Sequence, residues 1–126
     1  MPTNPWGKRL VLGVTGSIAA YKAVGLLRSL ARDGATVSVV MTQAATKFVT
    51  PLTFEVLSGR RVATDLFESH EEMVHLAVPE QAHAIIVAPA TANVIGKLAG
   101  GIADDLLTTT LMASKAPVLV VPAMNV

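Results

Sequence analysis

The sequence predicts an α/β fold built on a parallel sheet that helices cover on both faces, and three observations carry this. AIIVA (84–88) and VLVV (118–121) are short, continuous apolar runs without alternation, the pattern of strands buried on both faces. Each run ends in a proline-bearing tag, Pro89-Ala90-Thr91-Ala92-Asn93 and Pro122-Ala123-Met124-Asn125. Strand-like and helix-like stretches alternate along the chain, which gives a parallel, three-layer arrangement.

The first strand is expected over 9–14, ending in Thr15-Gly16-Ser17. A helix follows over about 18–32, with Ala20, Val24, Leu27 and Ala31 on one face. Asp33-Gly34 ends it, Gly34 taking the left-handed capping position. TVSVVM (36–41) is a second strand with Thr42 at its carboxyl end. A short helix over 43–48 and another from Pro51 to about Leu57 come next, the latter closed by Ser58-Gly59. Residues 61–63 offer a short third strand. Ser69 and Glu72 have the spacing of a capping box, which opens a helix over about 70–78 that Pro79 stops. The fourth strand, 84–88, leads into a helix over 91–99 that Gly100-Gly101 ends. Asp104 and Asp105 then fall in the first turn of another helix, where carboxylates suit the dipole. The fifth strand is 118–121, and a buried parallel strand there calls for further chain or a neighbouring subunit to cover it.

A chain of 126 residues makes one domain, 1–126, with room for a sizeable core. Its 52% hydrophobic and 15% charged content suits a sheet covered on both sides. The aromatics are only Trp6, Tyr21, Phe48, Phe54 and Phe67, so the core is built of Val, Leu, Ile and Ala. A net charge of +1 gives no basic surface for nucleic acid. Without cysteine there is no disulfide, thiolate metal site or cysteine nucleophile in this chain. Lys8-Arg9 before 10–14 is too short a pattern for a signal peptide, and no run reaches membrane-span length, so the expectation is a cytoplasmic protein without a membrane segment.

In open α/β sheets, ligands bind beyond the carboxyl ends of the strands, where both tags lie. Gly13-Val14-Thr15-Gly16-Ser17 lets backbone approach an anion at a helix amino terminus, with Ser17 either adding a hydrogen bond or merely capping the helix. The glycine spacing is not that of a dinucleotide site, and Thr42 stands where a ribose-binding acid would be. A mononucleotide phosphate fits better. Asn93 either satisfies backbone groups at its turn or serves a ligand. His70, His75 and His83 have no metal-ligand spacing, and no metal is expected.

Gly16-Ser17-Ile18-Ala19-Ala20-Tyr21-Lys22, the 88–93 tag with Gly101-Ile102-Ala103-Asp104-Asp105-Leu106-Leu107, and Pro122-Ala123-Met124-Asn125 together resemble the homo-oligomeric flavin-containing cysteine decarboxylases. The likeness runs from about Lys8 to Asn125 and is strongest to the decarboxylase half of the bacterial bifunctional enzymes of coenzyme A synthesis. It implies a Rossmann-like (flavodoxin-like) αβα domain that binds FMN. The phosphate would lie near Gly16, Ser17 and Thr42, and the ring near Ala90, Thr91 and Asn93. It implies homotrimers, or larger assemblies of trimers, with FMN at a subunit interface. His75, which on its own reads as a surface or capping residue, falls where the family carries its base. Asn125, flanked by Ala123 and Met124, falls where the family anchors substrate.

The resemblance implies decarboxylation of 4′-phosphopantothenoylcysteine to 4′-phosphopantetheine. Direct loss of CO2 from a cysteine carboxylate leaves a carbanion with nowhere to delocalise. Hydride loss from the carbon bearing the thiol gives a thioaldehyde, from which decarboxylation yields a stabilised enethiolate, and the flavin supplies the electron sink. Family members that finish the reduction use a cysteine downstream of the Pro-Ala-Met-Asn motif. This chain has none, nor the rest of that motif, and His83 replaces a common aspartate. Two other outcomes therefore stay open: a non-catalytic, regulatory FMN-binding protein, and a peptidyl-cysteine decarboxylase that stops at the enethiol.

Overall fold

The computed structural model describes residues 7–64 and 82–123. Strands β1 (Arg9–Val14), β2 (Thr36–Met41), β3 (Ala84–Ala90) and β4 (Val118–Pro122) run parallel in the spatial order β2-β1-β3-β4. Helix α1 (Ala20–Arg32) lies between β1 and β2 in sequence and α2 (Pro51–Ser58) between β2 and β3, while α3 (Ala92–Gly100) and α4 (Leu106–Ala113) join β3 to β4. The helix expected over 70–78 lies outside the described residues.

Strand period fixes the layers. Leu12, Val14, Val37, Val39, Met41 and Ala88 point to one side, against Ala20, Ala23 and Leu27 of α1 and Phe54 of α2. Val11, Val40, Ile85 and Val87 point to the other, against Val94 of α3 and Leu106, Leu107 and Leu111 of α4. Both faces of the central strands are thus buried, in a three-layer αβα arrangement.

Several expectations are corrected in detail. The first helix starts at Ala20, two residues late, because Ser17, Ile18 and Ala19 form the turn that enters it. Its buried stripe is Ala20, Ala23 and Leu27, with Ala31 exposed. Residues 61–63 form only a bridge, Ala63 to Val40, since Ala63 alone comes into register. The fourth expected strand continues through Pro89 to Ala90. Asp104 precedes α4 instead of lying in its first turn, and Asp105 is the N-cap. At the last strand the expected uncovered surface is present: Val120 packs against the α3–α4 side, while Val118, Leu119 and Val121 are exposed, unlike residues 37–41 of β2, the other edge strand, which are buried.

Glycine chemistry at the helix ends is as expected. Gly34, Gly59 and Gly101 adopt positive φ just past α1, α2 and α3. Among the described residues, no helix is long and apolar enough to cross a membrane.

Candidate active site

The carboxyl ends of β1, β2, β3 and β4 are tied to one another by a few specific contacts. Thr15, directly after β1, is fully buried. Its Oγ1 donates to the Pro89 carbonyl at 2.5 Å and accepts from the Thr91 N–H at 3.1 Å, while its own N–H also donates to Pro89 O at 3.3 Å. Ala90 O accepts from Ala123 N at 3.0 Å, so the two proline tags are bonded to each other. On the other side, Thr42 N donates to Val14 O at 3.0 Å, and Gly16 packs against Ala44.

The loop from Thr15 to Ala19 has the donor chemistry of an anion site. The Ser17 carbonyl accepts from Ala20 N, and its Oγ accepts from Ala19 N at 3.1 Å, so Ser17 braces the turn before α1, whose N-cap, Ala19, has no side-chain cap. That bond leaves the hydroxyl proton to be donated elsewhere. Among the described residues, the Gly16 and Ile18 N–H groups have no protein acceptor. The first turn of α1 carries no acidic side chain, so nothing there opposes an anion at the positive end of the helix dipole. Two N–H groups, a hydroxyl and a dipole fit a phosphate monoester such as that of FMN. Thr42 lies at the end of the neighbouring strand, its Oγ1 accepting from Ala45 N at 3.2 Å and its proton also uncommitted.

At the first tag, Thr91 is the N-cap of α3, its Oγ1 accepting from Val94 N at 3.3 Å. Asn93 lies in the first turn of α3 and is exposed, free to present its amide to a ligand. Ala90 is fully buried in β3. An apolar groove of about 340 Å³ lies beside the two tags, between Ala19, Lys22, Ala23 and Leu26 of the α1 side and Ala88, Pro89, Val121, Pro122 and Ala123. Of the residues expected to bind substrate, Ala123 lines this groove. Met124, Asn125 and His75 lie outside the described residues.

Behind the tags, α3 and α4 are clamped together. Lys97 Nζ stands 3.0 Å from Asp104 Oδ1 and 3.9 Å from Asp105 Oδ2. The hydrogen bond to Asp104 holds the lysine above its ordinary pKa; partial burial opposes this, and the charges of Asp104 and Asp105 add to the rise. Asp105 also completes a capping box, its Oδ1 accepting from Thr108 N at 2.7 Å while Asp105 N donates to Thr108 Oγ1 at 3.2 Å. These acids hold a helix start, as their sequence position indicates. His83 is likewise structural: its Nδ1 accepts from Arg9 N at 2.9 Å at the opposite end of the sheet.

Sequence reasoning missed Thr15. Its signal was a hydroxyl residue directly after a buried strand and before the glycine loop, which reads equally as an ordinary turn.

A family model described as Flavoprotein matches residues 2–126. The chain belongs to the Flavoprotein family. Within it, the chain is 54% identical over 121 residues to the coenzyme A biosynthesis bifunctional protein CoaBC of Bacillus subtilis (strain 168), a match that covers 94% of this chain and 30% of that protein. The chain thus spans less than a third of the length of this curated relative. Among solved structures, the FMN-dependent cysteine decarboxylase SpaF superposes with a TM-score of 0.84 at 34% identity, covering 94% of this chain and 69% of that one. A cysteine-to-serine variant of PPC decarboxylase complexed with pantothenoylaminoethenethiol superposes with a TM-score of 0.73 at 30% identity, covering 94% and 68%. Both solved structures thus share the fold of this chain.

Proposed function

We propose that this chain is an FMN-dependent decarboxylase domain, 1–126, that acts on 4′-phosphopantothenoylcysteine and yields 4′-phosphopantetheine in coenzyme A synthesis. The observation that carries the reading is the joined strand ends, with an anion-binding loop, an N-capped tag and a second tag at one end of the sheet, in a chain 54% identical over 121 residues to CoaBC of Bacillus subtilis. PPC decarboxylase and SpaF, both similar in fold and at 30% and 34% identity, support it.

In this reading Gly16, Ser17 and Thr42 hold the FMN phosphate, and Ala90, Thr91 and Asn93 border its ring. FMN, when bound, supplies a reversible two-electron acceptor that makes the carboxylate labile. His75 assists loss of the thiol proton, and Asn125 holds the substrate carboxylate or the nearby amide by paired hydrogen bonds, with Ala123 and Met124 beside it. Over the whole reaction CO2 leaves and a proton takes its place on the same carbon, so the substrate undergoes no net change of oxidation state. The protein is cytoplasmic and works as a homotrimer or an assembly of trimers. Exposed Val118, Leu119 and Val121 on β4, with Ile18 and Tyr21 near the anion loop, support such self-association.

The test is incubation of FMN-loaded protein with 4′-phosphopantothenoylcysteine, followed by mass spectrometry of the product. Release of CO2 is expected with formation of 4′-phosphopantetheine, or of the enethiol together with one equivalent of reduced FMN that holds its two electrons. FMN-loaded protein that leaves this substrate intact, while decarboxylating a peptide with a C-terminal cysteine, contradicts the assignment of substrate.

A further inference from the structure

Thr15 is an unexpected residue to bury. Its side chain has the shape of valine, and valine would fill the same space without the cost of removing a hydroxyl from water. Packing alone therefore does not account for it. What the oxygen adds is a pair of bonds to the first tag: it donates to Pro89 O at 2.5 Å and accepts from Thr91 N at 3.1 Å. Thr91 in turn fixes the start of α3 by accepting from Val94 N. Gly16 and Ser17, the anion loop, are the next two residues along the chain from Thr15. One hydroxyl thus spans the gap between the loop and the tag.

We propose that Thr15 is a positioning residue that sets the anion loop in register with the first tag, so that the phosphate and ring ends of one flavin nucleotide are held together. This rests on the FMN reading given above. Valine at this position keeps the shape and leaves the Thr91 N–H without its acceptor, while Pro89 O retains only the Thr15 N–H. The loop and the tag are then free to shift apart. Each end still has its own donors, but a ligand that bridges both no longer gains fully from its second contact.

The experiment compares FMN with riboflavin, which lacks the phosphate, by fluorescence titration of the wild-type chain, Thr15→Val and Thr15→Ser. Each variant's unfolding midpoint is followed in parallel. The advantage of FMN over riboflavin, as the ratio of their dissociation constants, is expected to shrink about tenfold in Thr15→Val, an effect of the size of one lost hydrogen bond in a buried site. Thr15→Ser keeps the oxygen and is expected to keep the ratio. Loss of stability with an unchanged ratio in Thr15→Val overturns the proposal, because a purely structural residue would behave in that way. Should the valine variant not fold, Thr15→Ser against Thr15→Ala isolates the same oxygen, and equal ratios for those two overturn it. A wild-type chain that is folded and binds neither flavin refutes the FMN reading itself, whereas binding with an indifferent Thr15 refutes only the positioning role.

Discussion

Gly16 lies so close to Ala44 that a Cβ added to it would stand 2.5 Å from the Ala44 Cβ and 2.9 Å from the Ala44 carbonyl carbon. The obstacle includes backbone, which cannot swing aside as a long side chain does. Gly16→Ala is expected to push the anion loop away from the segment after β2, at a cost of about 1–3 kcal/mol. Urea unfolding measures this as a lowered midpoint, and FMN titration as weakened binding. An unchanged midpoint with unchanged FMN affinity would show that the loop is not pinned between β1 and β2.

The clamp between α3 and α4 gives a pH dependence with a definite sign. Lys97 has a folded-state pKa raised above its ordinary 10.5 by the hydrogen bond to Asp104. A raised pKa contributes stability below the unfolded value, and the contribution is lost as pH rises through the folded one. At neutral pH it is therefore fully present. Lys97 is 21% exposed and Asp104 58%, so solvent screens the pair and Lys97→Met should cost only about 0.2–1 kcal/mol. Urea midpoints of the two proteins should differ at pH 7, converge in high salt, and converge again above the lysine's folded pKa. A difference that grows with pH in that alkaline range contradicts the sign.

Asp105 is expected to matter more than its exposed neighbour. Asp105→Ala removes the side-chain half of the capping box, the acceptor of the Thr108 N–H, and leaves only the backbone N–H of residue 105 donating to Thr108 Oγ1, at a cost of about 1 kcal/mol, whereas Asp105→Asn keeps an acceptor for the Thr108 N–H and costs less. Thermal unfolding of the two variants gives the order. If the alanine and asparagine variants melt together, the carboxylate's role is not capping.

His75 is assigned from the family register alone. His75→Asn should leave FMN affinity within about twofold and lower CO2 release by about a hundredfold or more, the range of a lost general base. Both are read on one preparation, by flavin fluorescence and by product analysis. Unchanged CO2 release removes His75 from the mechanism.

The layers of this fold were legible because β1, β2 and β3 carry apolar residues on both of their faces, and no pairing information is needed to see that. Pairing was less legible. The 61–63 strand reduces to the single Ala63–Val40 bridge, which depends on where α2 and the following turn set the chain down. The apolar run of β4 reads as buried on both faces, and the exposure of Val118, Leu119 and Val121 was legible only as the need for further chain or a neighbouring subunit to cover it. At the site, Gly16, Ser17 and the first tag were recognisable from local chemistry. Thr15 was not: its bonds reach Pro89 and Thr91, 74 and 76 positions along the chain, and only the parallel pairing of β1 with β3 brings these residues together.

The most direct test of the account is titration of the purified chain with FMN, followed by gel filtration and a visible spectrum of the protein peak. The account predicts that flavin absorbance travels with the protein and that Gly16→Ala weakens this association. A folded chain from which FMN separates completely would contradict it.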